Sequence, residues 1–214
     1  MSTIAVIGAS GYVGGNIAKE ALSRGYEVIA VTRSTPPDAH EGLTWRQGDL
    51  ADEGLLRELA SQASTIILAV HGAVDGEDYL VTFVPMLLDV AADSGARLGF
   101  VGGAGSLFVS DGGPRLFDTP EFPEAFLHEA QSQLRALDAL RASDSPADWF
   151  YVSPAAGFGS YAPGERTGHY RTGGEVLLAD ENGASFISGE DYAIAFLDEI
   201  DNPNHSRSRF GVAY

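Results

Sequence analysis

Short apolar segments alternate with amphipathic helical segments along most of this chain of 214 residues. Each strand–helix–strand crossover is right-handed, so the strands are expected to lie parallel in one sheet with helices on both faces. The order therefore predicts an α/β fold with a doubly wound parallel sheet. The predicted strands are residues 3–8, 27–32, 43–47, 65–70, 97–101, 149–153, 185–187 and 209–213. The predicted helices are residues 12–24, 53–61, 79–93 (kinked or broken at Pro85), 124–142 and one capped by Ser188.

No shift in composition marks a domain boundary, so residues 1–214 are expected to form a single domain. Residues 34–41 and 102–123 are rich in loop-forming residues and are predicted to be irregular. A second glycine-rich stretch interrupts the alternation, and we expect residues 155–189 to form a small C-terminal substrate lobe over the carboxyl edge of the sheet. Ligands bind at that edge in open α/β sheets.

Three glycines, Gly8, Gly11 and Gly14, stand between the first predicted strand and the first predicted helix. The first allows a sharp turn, the second a close approach of phosphate to the backbone, and the third close packing of helix on strand. The helix N-terminus then offers free N–H groups and a positive dipole to an anion. This context predicts a dinucleotide-binding loop; the alternative is a tight turn without a ligand. The predicted contacts are Gly8, Ser10, Gly11, Tyr12, Val13 and Gly14.

The second predicted strand ends in Thr32, Arg33 and Ser34, with no acidic residue at its end. An acid there would bind the ribose 2′-hydroxyl of NAD, whereas an arginine suits the 2′-phosphate of NADP. Arg33, with Thr32 as a hydroxyl donor, therefore favours NADP(H). NAD(H) stays possible because one arginine can also stack on adenine. Asp49, after the third strand, could accept a hydrogen bond from adenine or cap the next helix.

Lysine occurs once, at Lys19, and the residue four positions before it is Gly15. The Tyr-x-x-x-Lys pair with which most short-chain dehydrogenases transfer a proton is therefore absent from this sequence. Hydride transfer to a flavin or a quinone needs no such pair, because the protein has only to stack two planar systems in register.

Composition narrows the range of partners. A net charge of −17 disfavours nucleic acid and anionic membranes, because their phosphates would be repelled. No apolar run approaches the roughly 18 residues of a membrane span. There is no cysteine, and the histidines and acids are too dispersed to suggest a metal site. With no signal-peptide pattern at Met1, a cytoplasmic location is expected.

Several segments together resemble the NADH-flavin reductases, which are atypical short-chain dehydrogenase/reductase relatives close to the NmrA-like and biliverdin-reductase-B-like proteins. The resemblance covers essentially the whole chain. It implies a Rossmann fold, a bound NAD(P)(H) and flavin reduction, and it implies that residues 102–107 and 153–158 line the nicotinamide side. The segments are GASGYVGG (8–15), FVGGAGSL (100–107), DTPEFP (118–123), YVSPAAGF (151–158), PGERTGHYRTGG (163–174) and ISGEDYAIAFLDEI (187–200).

Further candidates follow the later strands at the carboxyl edge. Ser106 could bind a substrate oxygen and is the candidate catalytic residue; the alternative is a role in a turn. His71 could contact the cofactor or have no role. The predicted nicotinamide contacts are Val70, His71, Gly72, Gly102, Gly103, Ser153, Pro154 and Ala155. The predicted substrate contacts are Arg166, His169 and Tyr170; the arginines of this segment could hold a flavin phosphate or pair with Glu165 and Glu175.

Two functions remain open at this stage. The first is an NAD(P)H-dependent reductase that transfers hydride to FMN, FAD or a similar small flat acceptor such as a quinone. The second is a non-catalytic, NAD(P)-sensing regulator like the NmrA-like proteins. A third reading, an isomerase or epimerase with tightly held NAD, is disfavoured by the missing dyad. The chain is expected to be a monomer or a homodimer.

Overall fold

The computed structural model describes residues 2–35 and 42–214. Its strands are β1 (Thr3–Ile7), β2 (Glu27–Thr32), β3 (Leu43–Gln47), β4 (Thr65–Leu68), β5 (Ala73–Val74), β6 (Glu77–Asp78), β7 (Arg97–Val101), β8 (Trp149–Ser153), β9 (Arg171–Gly173) and β10 (Ser208–Ala213). Its α-helices are α1 (Tyr12–Ser23), α2 (Glu53–Gln62), α3 (Leu80–Ser94), α4 (Glu124–Ala142) and α5 (Gly189–Asp201). A short 3₁₀ turn covers Leu116–Asp118.

Among the described residues the main sheet has eight strands in the order β3-β2-β1-β4-β7-β8-β10-β9. Neighbouring strands are parallel, except that β9 runs antiparallel to β10. From β1 the chain passes to β2 and β3 on one side of the sheet and then returns to β4 on the other side of β1. The strand order therefore reverses between β1 and β4. This is the predicted Rossmann-type doubly wound fold, and it places the switch point, where ligands bind, at the carboxyl ends of β1 and β4.

Each face of the sheet carries its own apolar core. Along β1, Ala5 and Ile7 belong to the core shared with α2, α3 and α4, whereas Ile4 and Val6 belong to the core shared with α1 and α5. Successive side chains of a strand point to opposite faces, so a central strand that is covered on both sides needs an unbroken apolar run. That requirement explains the apolar sequence of β1. None of the helices in the described part of the chain is long and apolar enough to cross a membrane.

Several predicted elements need correction. The predicted strand at residues 185–187 is wrong: Phe186 makes only an isolated bridge to Gly157, because the chain turns at Ser188 into α5. The fourth strand ends at Leu68 rather than at residue 70. The predicted break at Pro85 is also wrong, because α3 continues through it as one helix. Most of the predicted loop at residues 34–41 lies outside the described residues.

Two elements were not predicted. The hairpin of β5 and β6 has two residues in each strand, which is too short to give an alternating pattern. The edge strand β9 is three residues long and its residues are exposed or half-buried, so it carries no apolar signal. Because β9 comes from the segment predicted as the lobe, part of that segment extends the sheet. The boundaries of the lobe stay a prediction.

Candidate functional site

The glycine loop joins β1 to α1 with backbone approaches that exclude side chains. Gly8 has φ of +87°, and a Cβ there would lie 2.1 Å from the carbonyl oxygen of Ala69, which follows β4. A Cβ at Gly14 would lie 2.3 Å from the carbonyl oxygen of Gly8. Both glycines are therefore required by the packing of α1 and β4 around the loop. This agrees with the sharp turn and the close helix–strand packing that the glycine spacing predicts.

The N-terminus of α1 carries no competing acceptor. Its N-cap residue is Gly11, no side chain caps the helix, and the first turn contains no acidic residue. A Cβ at Gly11 would meet only the Gly8 carbonyl oxygen, at 3.3 Å, on the open side of the loop. Unpaired first-turn N–H groups and the positive end of the helix dipole favour a bound anion. The loop therefore fits a dinucleotide pyrophosphate.

Three adjoining cavities form one groove along the carboxyl edge of the sheet, which we call the cofactor groove. The strand-end cavity, of 590 Å³, lies beyond β2 and shares Gly11, Val70 and His71 with the loop cavity, of 410 Å³. The loop cavity shares Gly102, Glu129 and Tyr161 with the aromatic cavity, of 250 Å³, beyond β7 and β8. The predicted cofactor residues that line the groove are Gly8, Ser10, Gly11, Tyr12, Val13, Gly14, Thr32, Arg33, Asp49, Val70, His71, Gly102, Gly103, Pro154 and Ala155.

Hydroxyl groups connect the glycine loop to the end of β2. The hydroxyls of Ser10 and Thr32 are hydrogen-bonded at 3.0 Å, and those of Thr32 and Ser34 at 3.1 Å. Thr32 is buried, so its hydroxyl holds Ser10 and Ser34 in place at the wall of the strand-end cavity. Arg33 is exposed at the same wall, and its positive charge partly opposes the rise in the pKa of Tyr79 and of His71 that other contacts cause. A cationic side chain therefore stands at the β2 end of the groove.

Asp49 also lines the strand-end cavity. Its carboxylate accepts hydrogen bonds from the Tyr79 hydroxyl at 2.8 Å and from the Ala51 amide at 3.0 Å. The residue that caps α2 is Asp52, whose carboxylate accepts from the Leu55 amide, so the alternative of a capping role for Asp49 is wrong. Burial and the hydrogen bond to Asp49 raise the pKa of Tyr79 to about 12. Tyr79 is thus a neutral donor that fixes Asp49.

A carboxylate from α4 lies where the loop and aromatic cavities meet. Glu129 accepts hydrogen bonds from the backbone amides of Gly72 and Ala73 at 2.8 and 2.9 Å, and from the Gln133 side chain at 3.1 Å. The Nδ1 atom of His71 lies 3.8 Å from the same carboxylate. The contact with Glu129 raises the pKa of His71, although the positive charge of Arg33 opposes it. Burial would raise the pKa of Glu129, but His71 and the two amides hold it below its ordinary value.

Glu129 and Gln133 were not predicted as site residues. The signal in the sequence was their separation of four residues on α4, which places both on one face of the helix. Gly72, a predicted nicotinamide contact, is instead one of the amide donors to Glu129 and does not line the groove. The sequence placed His71 at the end of a strand, whereas it lies three residues beyond β4 and its side chain is 78% exposed. The polar side chains at the middle of the groove therefore come from α4 rather than from the strand ends.

Buried Tyr151 explains why position 102 is a glycine. A Cβ at Gly102 would lie 2.0 Å from the Tyr151 ring. The Tyr151 hydroxyl donates to the side-chain oxygen of Gln133 at 3.0 Å, and complete burial raises the pKa of Tyr151. Tyr151 therefore stays protonated beneath the groove, where it positions Gln133, while Gly102 leaves the groove open above it.

Aromatic rings form the outer wall of the aromatic cavity. Phe126 and Tyr161 are 52% and 68% exposed, and their rings are nearly parallel, with centroids 6.4 Å apart and planes 17° apart. Phe158 lies deeper, packed on Tyr192 with centroids 4.6 Å apart. The turns after β7 and β8 contribute small residues and proline to the same cavity: Gly102, Gly103, Ala104, Gly105, Pro154, Ala155 and Ala156. The cavity is therefore lined by aromatic rings together with turns that carry no bulky side chains, and Leu116 and Phe122 complete its lining.

Ser106 and Ser153 do not reach the groove. The Ser106 hydroxyl is buried and accepts a hydrogen bond from the Arg209 guanidinium at 2.7 Å. Arg209 in turn pairs with Glu175, so Ser106 belongs to a polar cluster behind the loop. Ser153 is fully buried, and its hydroxyl has no hydrogen-bond partner among the described residues. The Ser106 hydroxyl is therefore turned away from the groove and engaged elsewhere. The predicted contact of the backbone at Ser153 with the nicotinamide stays a prediction.

The predicted substrate contacts at Arg166, His169 and Tyr170 lie away from the cofactor groove, because this segment lies against α1 and α5. Arg166 pairs with Glu20 of α1 at 2.8 Å, and the Tyr170 hydroxyl donates to Asp198 of α5 at 2.6 Å. His169 is exposed, and none of the three lines the cofactor groove.

Asp191 at the start of α5 is the reason for this placement. It is completely buried and accepts hydrogen bonds from the Thr167 amide, the Thr167 hydroxyl and the Gly168 amide, each at 2.8 Å. Arg171 bonds to the carbonyl oxygens of Ala179 and Tyr214. These bonds hold the segment on the side of the sheet that carries α5.

Comparison with known proteins agrees with this geometry. A family model described as NAD(P)H-binding matches residues 8–203. The uncharacterized protein YwnB of Bacillus subtilis (strain 168) is 39% identical over 212 residues, 98% of this chain and 97% of that protein. A Streptococcus pneumoniae structure named "putative NADH-flavin reductase" is 35% identical with a TM-score of 0.85, over 100% of this chain and 99% of that one. A Bacteroides thetaiotaomicron structure named "putative epimerase" is 36% identical with a TM-score of 0.87, over 100% and 97%.

Proposed function

The chain belongs to the NAD(P)H-binding family, and on that premise we propose that it is a reductase that passes hydride from NAD(P)H to a flat conjugated acceptor such as a flavin or quinone. One observation carries the proposal: the groove that begins at the glycine loop continues into a cavity lined by aromatic rings and by turns without bulky side chains. Such a cavity suits a second planar ring beside the nicotinamide. The name of the pneumococcal relative, "putative NADH-flavin reductase", supports the same activity.

The residues of the chain position rings rather than transfer protons through a tyrosine–lysine pair. A bound reduced nicotinamide supplies one hydride, and the acceptor gains that hydride together with one proton from solvent. Gly102 and Gly103 leave space for a flat ring, and Pro154 and Ala155 close the inner wall. Lys19 is exposed in α1 and does not line the loop or aromatic cavities. Positioning of this kind is sufficient for an acceptor that stabilises its own negative charge.

The preferred cofactor in this proposal is NADP(H). Arg33 stands beside Ser34 at the wall of the strand-end cavity, where the adenosine ribose of a dinucleotide laid along the groove would lie. A guanidinium forms strong, charge-assisted hydrogen bonds with phosphate oxygens. Asp49 lies at the same cavity, where its carboxylate, already held by Tyr79, can also accept from the adenine amino group.

Nucleotide binding followed by turnover tests the proposal. NADPH and NADH are titrated by their fluorescence, and riboflavin, FMN, FAD or a quinone is then added while the absorbance of the reduced nicotinamide is followed. The reductase assignment expects tighter binding of NADPH and oxidation that depends on the acceptor. Tight binding without oxidation by any flavin or quinone would overturn it in favour of a nucleotide-sensing regulator. A protein that bound neither nucleotide would contradict both.

A further inference from the structure

We propose that the aromatic cavity is the acceptor site and that it selects an uncharged flat acceptor, such as riboflavin or a quinone, over flavins that carry a phosphate. The inference rests on the proposed function and adds a substrate class to it. It follows from two properties of the cavity, the arrangement of its aromatic wall and the sign of the charge that lies at its junction with the loop cavity.

The aromatic wall is a preformed surface for a planar ligand. The nearly parallel rings of Phe126 and Tyr161 are stacked with centroids 6.4 Å apart, and both residues line the aromatic cavity and keep exposed apolar area. Phe158 is fixed beneath them by contacts with Tyr12 and Tyr192, at centroid distances of 6.3 and 4.6 Å. Aromatic side chains interact with flat rings by offset stacking as well as by apolar burial. A conjugated ring therefore gains most of its binding energy from this wall.

The charge beside that wall is negative. Among the described residues, no lysine or arginine lines either the loop cavity or the aromatic cavity. Glu129 lines both cavities, and its hydrogen bonds from Gly72, Ala73 and Gln133 fix the carboxylate in place. Because the pKa of Glu129 is lowered, the carboxylate is ionised at neutral pH.

The other charged groups do not reverse this sign. His71 lies against the same carboxylate and, when protonated, offsets its charge, so the repulsion of a phosphate is expected to be largest at a pH above the pKa of His71. Arg33 faces the strand-end cavity at the other end of the groove, where the cofactor phosphate is expected. Arg166 and Arg171, the candidates for binding a flavin phosphate, are engaged with Glu20 and with backbone carbonyls elsewhere. A phosphate near the acceptor site thus meets a carboxylate, on a chain with a net charge of −17.

The size of the discrimination follows from Coulomb's law. At a reference distance of one Debye length, about 8 Å, a phosphate dianion loses roughly fivefold in affinity to one carboxylate at the dielectric constant of water. Salt at physiological ionic strength screens much of this repulsion, because the Debye length is then about 8 Å. The preference for riboflavin over FMN should therefore be largest at low ionic strength and should shrink as salt is added.

Equilibrium binding tests the inference independently of turnover. Riboflavin and FMN are titrated by quenching of their fluorescence with protein saturated with NADP⁺ at low ionic strength. We expect riboflavin to bind about fivefold more tightly than FMN. Glu129→Gln should bring the two affinities together, whereas Glu124→Gln, which removes an exposed carboxylate at the start of the same helix outside the cavity, should leave the gap unchanged. Tyr161→Ala should weaken the binding of both flavins by the same factor.

Equal or tighter binding of FMN, or failure of riboflavin to bind while NADP⁺ still binds, would overturn the acceptor-site proposal. If Glu129→Gln does not fold, as judged by circular dichroism, the wild-type protein is titrated with riboflavin and FMN at increasing salt concentrations instead. A ratio of the two affinities that does not change with salt contradicts the charge argument. A different result bears on the reductase itself. Riboflavin that binds with the expected preference but does not oxidise NADPH leaves the site supported and contradicts the proposed reaction.

Discussion

Replacing Gly14 by alanine, with Gly15→Ala as the matched control, tests whether the glycine loop is held by close backbone packing. The two glycines are neighbours in the first turns of α1, so both substitutions gain the same helix propensity. They differ in what the new methyl group meets. At Gly14 it would lie 2.3 Å from the Gly8 carbonyl oxygen, and at Gly15 it would lie 3.4 Å from the Ala9 carbonyl oxygen.

The expected free-energy changes therefore have opposite signs. Alanine in place of glycine inside a helix stabilises by about 0.5–1 kcal/mol, and Gly15→Ala should gain most of this because 3.4 Å is an ordinary contact. Overpacking a close contact costs about 1–3 kcal/mol, and here the obstructing atom is backbone and cannot rotate aside. Gly14→Ala should thus lower the free energy of unfolding by a net amount of up to about 2 kcal/mol, and α1 should move away from the loop.

Urea unfolding followed by circular dichroism measures the stability change, and NADPH fluorescence measures the affinity of the same samples. We expect Gly15→Ala to be at least as stable as the wild type and to bind NADPH within about threefold, which corresponds to less than 1 kcal/mol. Gly14→Ala should lose both stability and affinity. Two variants that changed stability in the same direction by similar amounts would refute the packing argument.

Three further perturbations follow from single contacts. Arg33→Ala should weaken the binding of NADPH about 10- to 150-fold in a fluorescence titration, which is the loss expected for one or two charge-assisted hydrogen bonds. The affinity for NADH should change by no more than about threefold. Equal losses of affinity for the two nucleotides would contradict the proposed 2′-phosphate contact. NMR titration of His71 should give a midpoint above its ordinary value of about 6.5, because Glu129 stabilises the protonated ring, and Glu129→Gln should lower that midpoint; an unchanged midpoint would show that the two side chains do not interact in solution. Asp191→Asn should lower the free energy of unfolding by about 2–4 kcal/mol at neutral pH, because a buried carboxylate loses charge-assisted hydrogen bonds. The bonds from Tyr214, Thr167 and Gly168 lower the Asp191 pKa despite its burial, so its contribution is present above about pH 4 and is lost as the pH falls through the folded-state pKa; a variant whose acid unfolding matched the wild type would contradict this.

The sequence was most informative where one local pattern determines the structure. The apolar runs of the central strands and the glycines at positions 8 and 14 predicted the sheet and the loop, because burial on both faces and close backbone contact each admit few residue types. The cap of α5 at Ser188 was also predicted, and its hydroxyl accepts from the Asp191 amide. These features depend on residues that are close together in the chain.

Features that depend on distant contacts were not predicted. Ser106 follows a strand at the carboxyl edge, as a catalytic serine would, but Arg209, over a hundred positions later in the chain, draws its hydroxyl away from the groove. Asp191 likewise holds the segment around Thr167 against α5 and away from the groove. Glu129 showed only a helical spacing in the sequence. Its role at the groove arises because β4 ends early and the following amides turn toward α4.

The same comparison explains the division of the groove. The residues predicted to bind the dinucleotide come mainly from β1, β2 and the turns that follow them, an arrangement typical of nucleotide binding in this fold. The aromatic cavity combines residues after β7 and β8, of which the sequence predicted Gly102, Gly103, Pro154 and Ala155, with Phe126, Glu129 and Tyr161, which it did not predict. The nucleotide end could therefore be predicted from short motifs, whereas the aromatic and charged side chains of the other end required the structure.

A single-turnover reaction tests the central claim most directly. Protein saturated with NADPH is mixed anaerobically with riboflavin, and the absorbances of the reduced nicotinamide and of the oxidised flavin are followed together in a stopped-flow instrument. The account predicts that both absorbances fall at the same rate and in equal molar amounts, much faster than without protein. If NADPH and riboflavin both bind to the protein but neither absorbance changes, the chain holds its cofactor for a purpose other than hydride transfer to a flavin.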